Sequence, residues 1–557
     1  MKLSTTHWTL ILIAICMGTA CKKYVDVNNP DSEVDPDFWK TENSVRSYNW
    51  EFYNLFPGFG NGSSLNGDFY FPTLNDDEVS PTLYNYPVSA LASNGDWFFG
   101  YIRKANIMLE RIDIVAMPDE AKNHWKGVAR FFRAFQYFKL VQEFGRVPWF
   151  SHSLDISDST QIYKLLDTHQ LVMDSVLADL NFAVANVRPV DQDNTITKNV
   201  ALALLSRVAL WEGTFRKYHT ELSMPDADKY LSASKDASQT LIASGTYALD
   251  KSYQTAYNSD NLATDKEMIL YKRYEPALLQ HSLIAYLYSS TAMSGPSRSA
   301  VESYLCKDGL PIGLSPMYQG DASIDNVRTN RDLRFGIAFD TTYLYYKGHV
   351  KNSFSSSTGY RPIKFLPDSN KLKSIPTGIG ANYTDAPLFW LAEVYLNYAE
   401  AAAELDDMGK YTINQADLDK TINKLRDRGG VAHMTLAGHQ DPGFTDPNKD
   451  ADVSSLIWEI RRERRVELMM DGFRFNDLMR WKKGPNLNFG LNPNAYLGAK
   501  VPANGSVVLN PSGYISPYAL PVTRAFADPR NYLSNIPTGQ ILLYPAAVQP
   551  QMQNPGW

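Results

Sequence analysis

Residues 457–481 read IWEIRRERRVELMMDGFRFNDLMRW, and the way their charges are accommodated decides the fold. On a helix advancing about 100° per residue, Ile457, Ile460, Arg461, Arg464 and Leu468 fall on one stripe. Guanidinium groups therefore share a face with aliphatic side chains. An unpaired charge there is too costly to keep, so each arginine needs an acceptor. Glu463, Glu467 and Asp471 are the nearby carboxylates, and the planar guanidinium fork can engage a carboxylate or backbone oxygens at two points. Two readings follow: a structural ion-pair network inside an all-helical core, or an anion or substrate site. The interleaving of arginines with core positions favours the network, with Arg474 and Asp477 extending it beyond the turn at Gly472.

The whole chain has a globular composition, 44% apolar and 20% charged over 557 residues. A net charge of -6 and the lack of any basic cluster interleaved with aromatics exclude a nucleic-acid binder. Aromatics reach 13%, and many lie in polar stretches, where exposed rings are unfavourable unless something docks on them. There is no HExxH, no GxSxG, no GxxxxGK[ST] and no dinucleotide glycine motif. Asp76-Asp77-Glu78 lacks the spaced oxygen ligands of a calcium loop and reads as a solvated acidic turn, so the spacing supports no structural calcium and no cofactor is expected. Cys16 lies in the leader and Cys306 reads as a lone packed thiol.

The first twenty residues read as an export signal: Lys2 and His7 precede an apolar run, Trp8 to Met17, that is too short to span a bilayer. The run ends in Gly18-Thr19-Ala20-Cys21, which resembles the lipobox of bacterial lipoproteins and implies a lipid on Cys21. Residues 21–40 suit an extended leash, and 41–557 a single domain. Within that domain, helical periodicity marks 42–56, 97–115, 120–144, 163–187, 198–216, 226–244, 387–405, 415–427 and 453–481. The amphipathic segments come in pairs, about 97–245 and 387–481, without βαβ alternation. The predicted fold is mainly α, a tetratricopeptide-like scaffold of helical hairpins. Two irregular tracts, about 57–96 and 246–380, form a large loop-rich ligand-binding region.

Several segments together resemble the SusD/RagB family of nutrient-binding outer-membrane lipoproteins of the Bacteroidetes. They are the lipobox cysteine, GVARFFRAFQYFKLVQEFGRVP at 127–148, ALALLSRVALWE at 201–212, LAEVYLNYAEAAAEL at 391–405, residues 460–481 and the closing QNPGW at 553–557. The resemblance implies four tetratricopeptide-like helical pairs carrying a loop-rich ligand site. It also implies an outer-membrane, lipid-anchored, surface-exposed location and a TonB-dependent SusC-like transporter as partner. The implied cargo is an oligosaccharide or polysaccharide fragment delivered uncleaved, so the protein is not expected to be an enzyme. Peptide capture is the alternative. A glycoside hydrolase is a remote one, since it needs two carboxylates flanking the sugar bond, such as Asp76 and Glu78.

A binder of this kind uses flat apolar faces for sugar rings and a few amides or carboxylates for hydroxyls. The ligand-binding candidates are Trp97, Tyr70, Asn75, Asp76, Tyr84 and Tyr86 from the first tract and Tyr304 and Tyr343 from the second. Asn66, Asp68 and Asn94 accompany the first set, and Tyr286, Tyr288, Arg298, Tyr345 and Tyr346 the second. Trp97 leads because the family places a tryptophan near the start of this helix close to the binding face. Asn106 reads as a structural hydrogen-bonder.

Overall fold

The computed structural model describes residues 38–69, 74–155, 157–287, 294–340, 356–367, 375–436, 450–503 and 507–557. Cys21, the leader and most of the leash lie outside the described residues, as do Tyr70, Tyr288, Tyr343, Tyr345 and Tyr346.

The architecture is mainly helical, as the periodicity predicts. After α1 (Glu42–Asn49) come α2 (Gly100–Arg111), α3 (Asp119–Phe144), α4 (His169–Asn186), α5 (Lys198–Tyr218) and α6 (Ala227–Ala243). Local chemistry sets their ends. Asp119 and Glu120 sit in the first turn of α3, where the helix dipole favours carboxylates, and the Thr168 side chain caps α4 by accepting from the Leu171 amide. The helices pack as a run of antiparallel neighbours, most extensively α3 on α4 and α5 on α6. The sequence paired 163–187 with 198–216; in the structure each of those helices has its larger interface on the other side. Glycine explains the choice. A Cβ at Gly127 would come 2.7 Å from the Val187 side chain, and one at Gly213 would come 2.7 Å from Leu231. The backbones of α3 and α5 therefore approach those neighbours where no side chain intervenes.

The second helical set is α7 (Leu391–Asp407), α8 (Ile422–Gly429), α9 (Ser455–Glu467) and α10 (Arg474–Arg480). The segment predicted as a helix from 387 begins instead as a buried strand. Ala386–Trp390 (β4) pairs antiparallel with Met268–Lys272 (β2) before α7 starts. Pro387 disfavours helical backbone in the residue before it, and the ladder to β2 takes up the strand's polar groups. A further short pair joins Glu78–Val79 (β1) to Gly295–Pro296 (β3), one from each irregular tract. The tract 246–380 also holds short helices, among them Arg298–Ser303 and Leu333–Ala338.

Two large apolar clusters result. One fills the α2–α6 array and the other lies beneath the second tract. Helix α7 serves both, giving Leu391 and Val394 to the first and Leu396 and Ala399 to the second.

Arg462 of α9 pairs with Glu459 one turn before it at 3.1 Å, but Arg461 and Arg464 do not pair with the carboxylates closest in sequence. Arg464 donates from Nε to Asp477 at 2.8 Å and from Nη1 to Asn397 at 2.9 Å. Arg461 donates to Asp450 at 2.8 Å and to Glu404 at 3.2 Å. Glu463 and Glu467 instead hold Arg334, each at 2.7 Å, together with Arg426 and Arg428. Asp471 holds Lys364 at 2.7 Å. Helix spacing accounts for part of this: Glu463 and Glu467 lie i+2 and i+6 from Arg461, off its flank, whereas Glu467, i+3 from Arg464 and within reach of it, is taken instead by Arg334 and Arg428. At the centre, Arg480 in α10 donates to Glu400 of α7 at 2.8 Å, to Asp477 at 2.9 Å and to Thr214 of α5 at 3.0 Å. Burial alone would push the Glu400 carboxyl up, but Arg480, with Arg464 and Arg461 nearby, holds it down at about 2.

The turn between α9 and α10 depends on Gly472. Its φ is +83°, and a Cβ there would lie 2.1 Å from the Asp68 carbonyl oxygen.

Replacing Arg480 by Ala leaves Glu400 and Asp477 buried without their common partner. Urea denaturation is expected to show a loss of about 3–5 kcal/mol. A loss under about 1 kcal/mol would mean that the pair does not hold α10 in place.

Candidate functional site

The C-terminal half of α3 carries a polar stripe on an otherwise apolar helix: Gln136, Lys139, Gln142 and Glu143, spaced three or four apart. This stripe forms the floor of a cleft of about 710 Å³. One wall is the end of the first irregular tract, with Tyr86, Asn94, Asp96, Phe98 and, from α2, Tyr101. The opposite wall is the C-terminal segment, with Asn531 to Asn535 and Trp557, closed by Phe475 and Asn476 of α10.

Side-chain amides pin these walls to one another. Asn535 accepts from the Leu91 amide at 3.0 Å and donates to the Leu91 carbonyl at 2.9 Å. Asn531 donates to the Pro87 carbonyl, and Gln136 to the Phe98 carbonyl at 3.0 Å. The Trp557 indole donates to the Leu533 carbonyl at 2.9 Å. Ser534 donates its hydroxyl to Glu143, and Asn94 approaches the same carboxylate at 3.4 Å. Burial pushes the Glu143 carboxyl up, and the Ser534 hydroxyl only partly offsets it.

Other groups remain available. Phe98 is 50% exposed and stands edge-on to Tyr101 with centroids 5.7 Å apart. The side chains of Asp96, Lys139, Gln142 and Asn476 have no hydrogen bond or ion pair among the described residues. Flat apolar faces beside unengaged amide, carboxylate and ammonium groups suit a ligand that is apolar on its faces and hydroxylated at its edges.

A smaller cavity of about 190 Å³ adjoins the cleft and shares Lys139, Gln142 and Asn476 with it. Its remaining wall includes Arg464, Asp471, Asp477 and Arg480 of the ion-pair network, so it belongs to the frame. Among the described residues no group of three or more His, Cys, Asp or Glu side chains is placed to hold a metal ion.

The structure distributes the sequence candidates unevenly. Tyr86 and Asn94 line the cleft, although Tyr86 is nearly buried, with its hydroxyl donated to the Leu74 carbonyl at 2.7 Å. Trp97 is half-buried, its ring edge-on to Phe144 at 4.9 Å, and its neighbour Phe98 takes the place on the wall. Tyr84 is 47% exposed but does not line the cleft. Asn75 is buried and accepts from the amides of Asp77 and Glu78, both at 2.9 Å, so it shapes the turn. Tyr304 is buried between Phe335 and Phe339, each at 5.5 Å, and has no exposed face. Arg298 pairs with Glu302 and lies over the Tyr514 ring. Asn106 is structural, as predicted, donating to the carbonyls of Phe150 and His152 and accepting from Arg133.

The acidic turn is a correction. Asp76, Asp77 and Glu78 are buried rather than solvated: two arginines from the helical half reach Asp76 and Asp77, while both Glu78 carboxylate oxygens are buried without a hydrogen bond among the described residues. Arg474 grips Asp76 through both oxygens, at 2.7 and 2.8 Å, and Arg465 donates to Asp77 at 2.7 Å. Burial would raise the Asp76 carboxyl, but Arg465 and Arg474 hold it well below the usual carboxylate range.

Phe98, Gln142, Glu143, Asn535 and Trp557 were not singled out from sequence. The polar stripe on α3 was a readable signal; the C-terminal wall had none, since only folding brings it beside residues some 400 positions earlier.

A family model described as the SusD family matches residues 250–557, and one described as "Starch-binding associating with outer membrane" matches 74–210. SusD-like protein P38 of Formosa agariphila is 26% identical over 499 residues, covering 85% of this chain and 90% of its own length. A SusD-like carbohydrate binding protein from Bacteroides fragilis superposes with a TM-score of 0.69 at 22% identity, over 90% of this chain and 98% of its own. A laminarin binding SusD-like protein superposes with a TM-score of 0.56 at 17% identity, over 93% of this chain and all (100%) of its own.

Asp76→Asn removes the charge that pairs with Arg474 and Arg465, and thermal or urea unfolding is expected to show a loss of about 3–5 kcal/mol. Tyr84→Ala at the exposed surface is expected to stay within about 0.5 kcal/mol of the parent. An Asp76→Asn variant as stable as the parent would contradict the frame role of this residue.

Proposed function

We propose a role for this chain from its place in the SusD/RagB family, to which it belongs: non-catalytic binding of oligosaccharides or polysaccharide fragments in the cleft above α3, and their delivery to a TonB-dependent SusC-like transporter. The observation that carries the reading is the cleft itself. Phe98 and Tyr101 offer ring faces of the size of a pyranose, and the unengaged Asp96, Gln142, Asn476 and Lys139 groups stand within the same space to meet hydroxyls. Tyr86 and Asn94 complete one wall, and Trp97 backs it against Phe144.

The relatives' names, carbohydrate binding for one and laminarin binding for another, support a sugar ligand, as does the family description of starch binding. That description, together with the lipobox-like GTAC at 18–21, supports attachment to the outer membrane through a lipid on Cys21. Hydrolysis finds no support in the first tract: Asp76 and Glu78, the pair weighed for it, are buried. Peptide capture on the same architecture is the second reading, favoured by Lys139, which has no hydrogen bond or ion pair among the described residues and can take a peptide carboxylate.

Isothermal titration of the full-length protein against a panel of neutral and acidic oligosaccharides tests the proposal. Binding of at least one glycan is expected, weakened about 10-fold or more by Phe98→Ala, since burying one aromatic face contributes about 1.5–3 kcal/mol. Release of new reducing ends would make the protein an enzyme. Binding of peptide pools and of no glycan would move the assignment to peptide capture.

A further inference from the structure

Helix α10 has two working faces. Phe475 and Asn476 face the cleft, whereas Arg474, Leu478 and Trp481, at positions i, i+4 and i+7, line a separate cavity of about 40 Å³ on the other side. Trp458, Arg461, Arg462 and Arg465 of α9 also line that cavity, with Ser303, Lys483 and Asn486 beside them. Asp450 is the carboxylate on its described wall.

The arginines are fixed by their outer edges. Arg474 spends Nε and Nη2 on Asp76, and Arg465 spends Nε on Asp77 and Nη2 on Ser299 Oγ and the Asp76 carbonyl. Arg461 spends Nη1 on Asp450 and Nη2 on Glu404. Asp76, Asp77 and Glu404 are not part of the cavity wall, so these carboxylates lie behind the guanidinium groups. The remaining donors are left over. Arg461 is only 3% exposed, yet among the described residues its Nε–H is buried without a hydrogen-bond partner, and so is the Trp458 Nε1–H. The Nη1 groups of Arg465 and Arg474 and the Asn486 side-chain amide have no hydrogen bond among the described residues.

We propose that this cavity is a binding site for a small oxyanion, a phosphate, sulfate or carboxylate group, held by Arg461 Nε, Trp458 Nε1 and the inner edges of Arg465 and Arg474. Buried N–H donors are ordinarily satisfied, and a cluster of them around a void calls for an acceptor. A water needs about 10–15 Å³ of such space, so the cavity has room for a small ion in place of a few waters. Water accepts few bonds and carries no charge. An oxyanion accepts from several directions and matches the planar guanidinium forks. The site uses the flank of α9 that carries Trp458, Arg461 and Arg465; Arg464, at the other edge of the arginine stripe, does not line the cavity and is already paired with Asp477 and Asn397.

The ion can be free or borne on a sugar, as a uronate is, and the probes separate these sources. Full-length protein is titrated calorimetrically with sodium phosphate, sodium sulfate and sodium glucuronate against sodium chloride at matched ionic strength. Saturable binding of one phosphate or sulfate per chain is expected, weakened about fivefold or more by Trp458→Phe, which removes one donor and keeps the ring. Asn486→Leu at the rim, with circular dichroism as a check on folding, gives a second variant outside the ion-pair network. Saturation by glucuronate but not by the inorganic ions assigns the site to a sugar-borne carboxylate and upholds the proposal. Heats equal to chloride for all three probes overturn it, as does saturable binding that both variants leave unchanged. None of these outcomes depends on glycan binding in the cleft.

Discussion

The buried junction of Arg480 with Glu400, Asp477 and Thr214 is the interaction from which the rest hangs. It ties the short α10 to α5 and α7, helices from the two halves of the scaffold. A helix of seven residues has little stability of its own, so its position comes from tertiary contacts. From α10 the constraint passes outward: Arg474 clamps Asp76, the Asp76 turn leads into the strand Glu78–Val79, and Tyr86 is bonded back to Leu74 at the start of the same loop. The cleft wall is therefore fixed by charges in the helical core. Such buried pairs are not a cheap source of stability compared with apolar packing, because both ions must be desolvated. What they supply here is position, since each guanidinium accepts only geometries that satisfy several donors at once.

Much of the scaffold was legible because helical periodicity reports one face at a time. The 3.6-residue rhythm located α3, α5, α6 and α7 closely, and the stop at Gly145 coincides with the end of α3. Partner choice was not legible. Arg464 pairs with Asp477 and Asn397, residues that sequence proximity to Glu463 and Glu467 would not select, because those two carboxylates are taken up by arginines from other elements. The strand at 386–390 was hidden for a related reason: five consecutive buried residues carry no alternation.

The binding face was less legible than the fold. Asp76 and Asn75 look like ligand groups in a loop of glycine, asparagine and aspartate, but the loop is pinned by arginines more than 380 residues away. Tyr304 looks like a loop aromatic, yet it fills a core of its own tract. Residue type in an irregular segment does not say which way the side chain faces, because no period constrains it. Trp97 and Phe98 show the limit: adjacent aromatics, of which one packs inward against Phe144 and the other faces the cleft.

Two cavities flank α10, a wide cleft and a small charged pocket, and share it as one wall. In the proposed function, ligand occupies the space between residues 86–98, the end of α3 and the C-terminal segment. Amide hydrogen exchange of the full-length protein, with and without a glycan that it binds, tests this most directly. The account predicts slowed exchange at 91–98 and 531–535, whose backbone and side-chain amides form the walls, with little change in tract 298–340. Protection confined to 298–340, with the cleft walls unaltered, would contradict it.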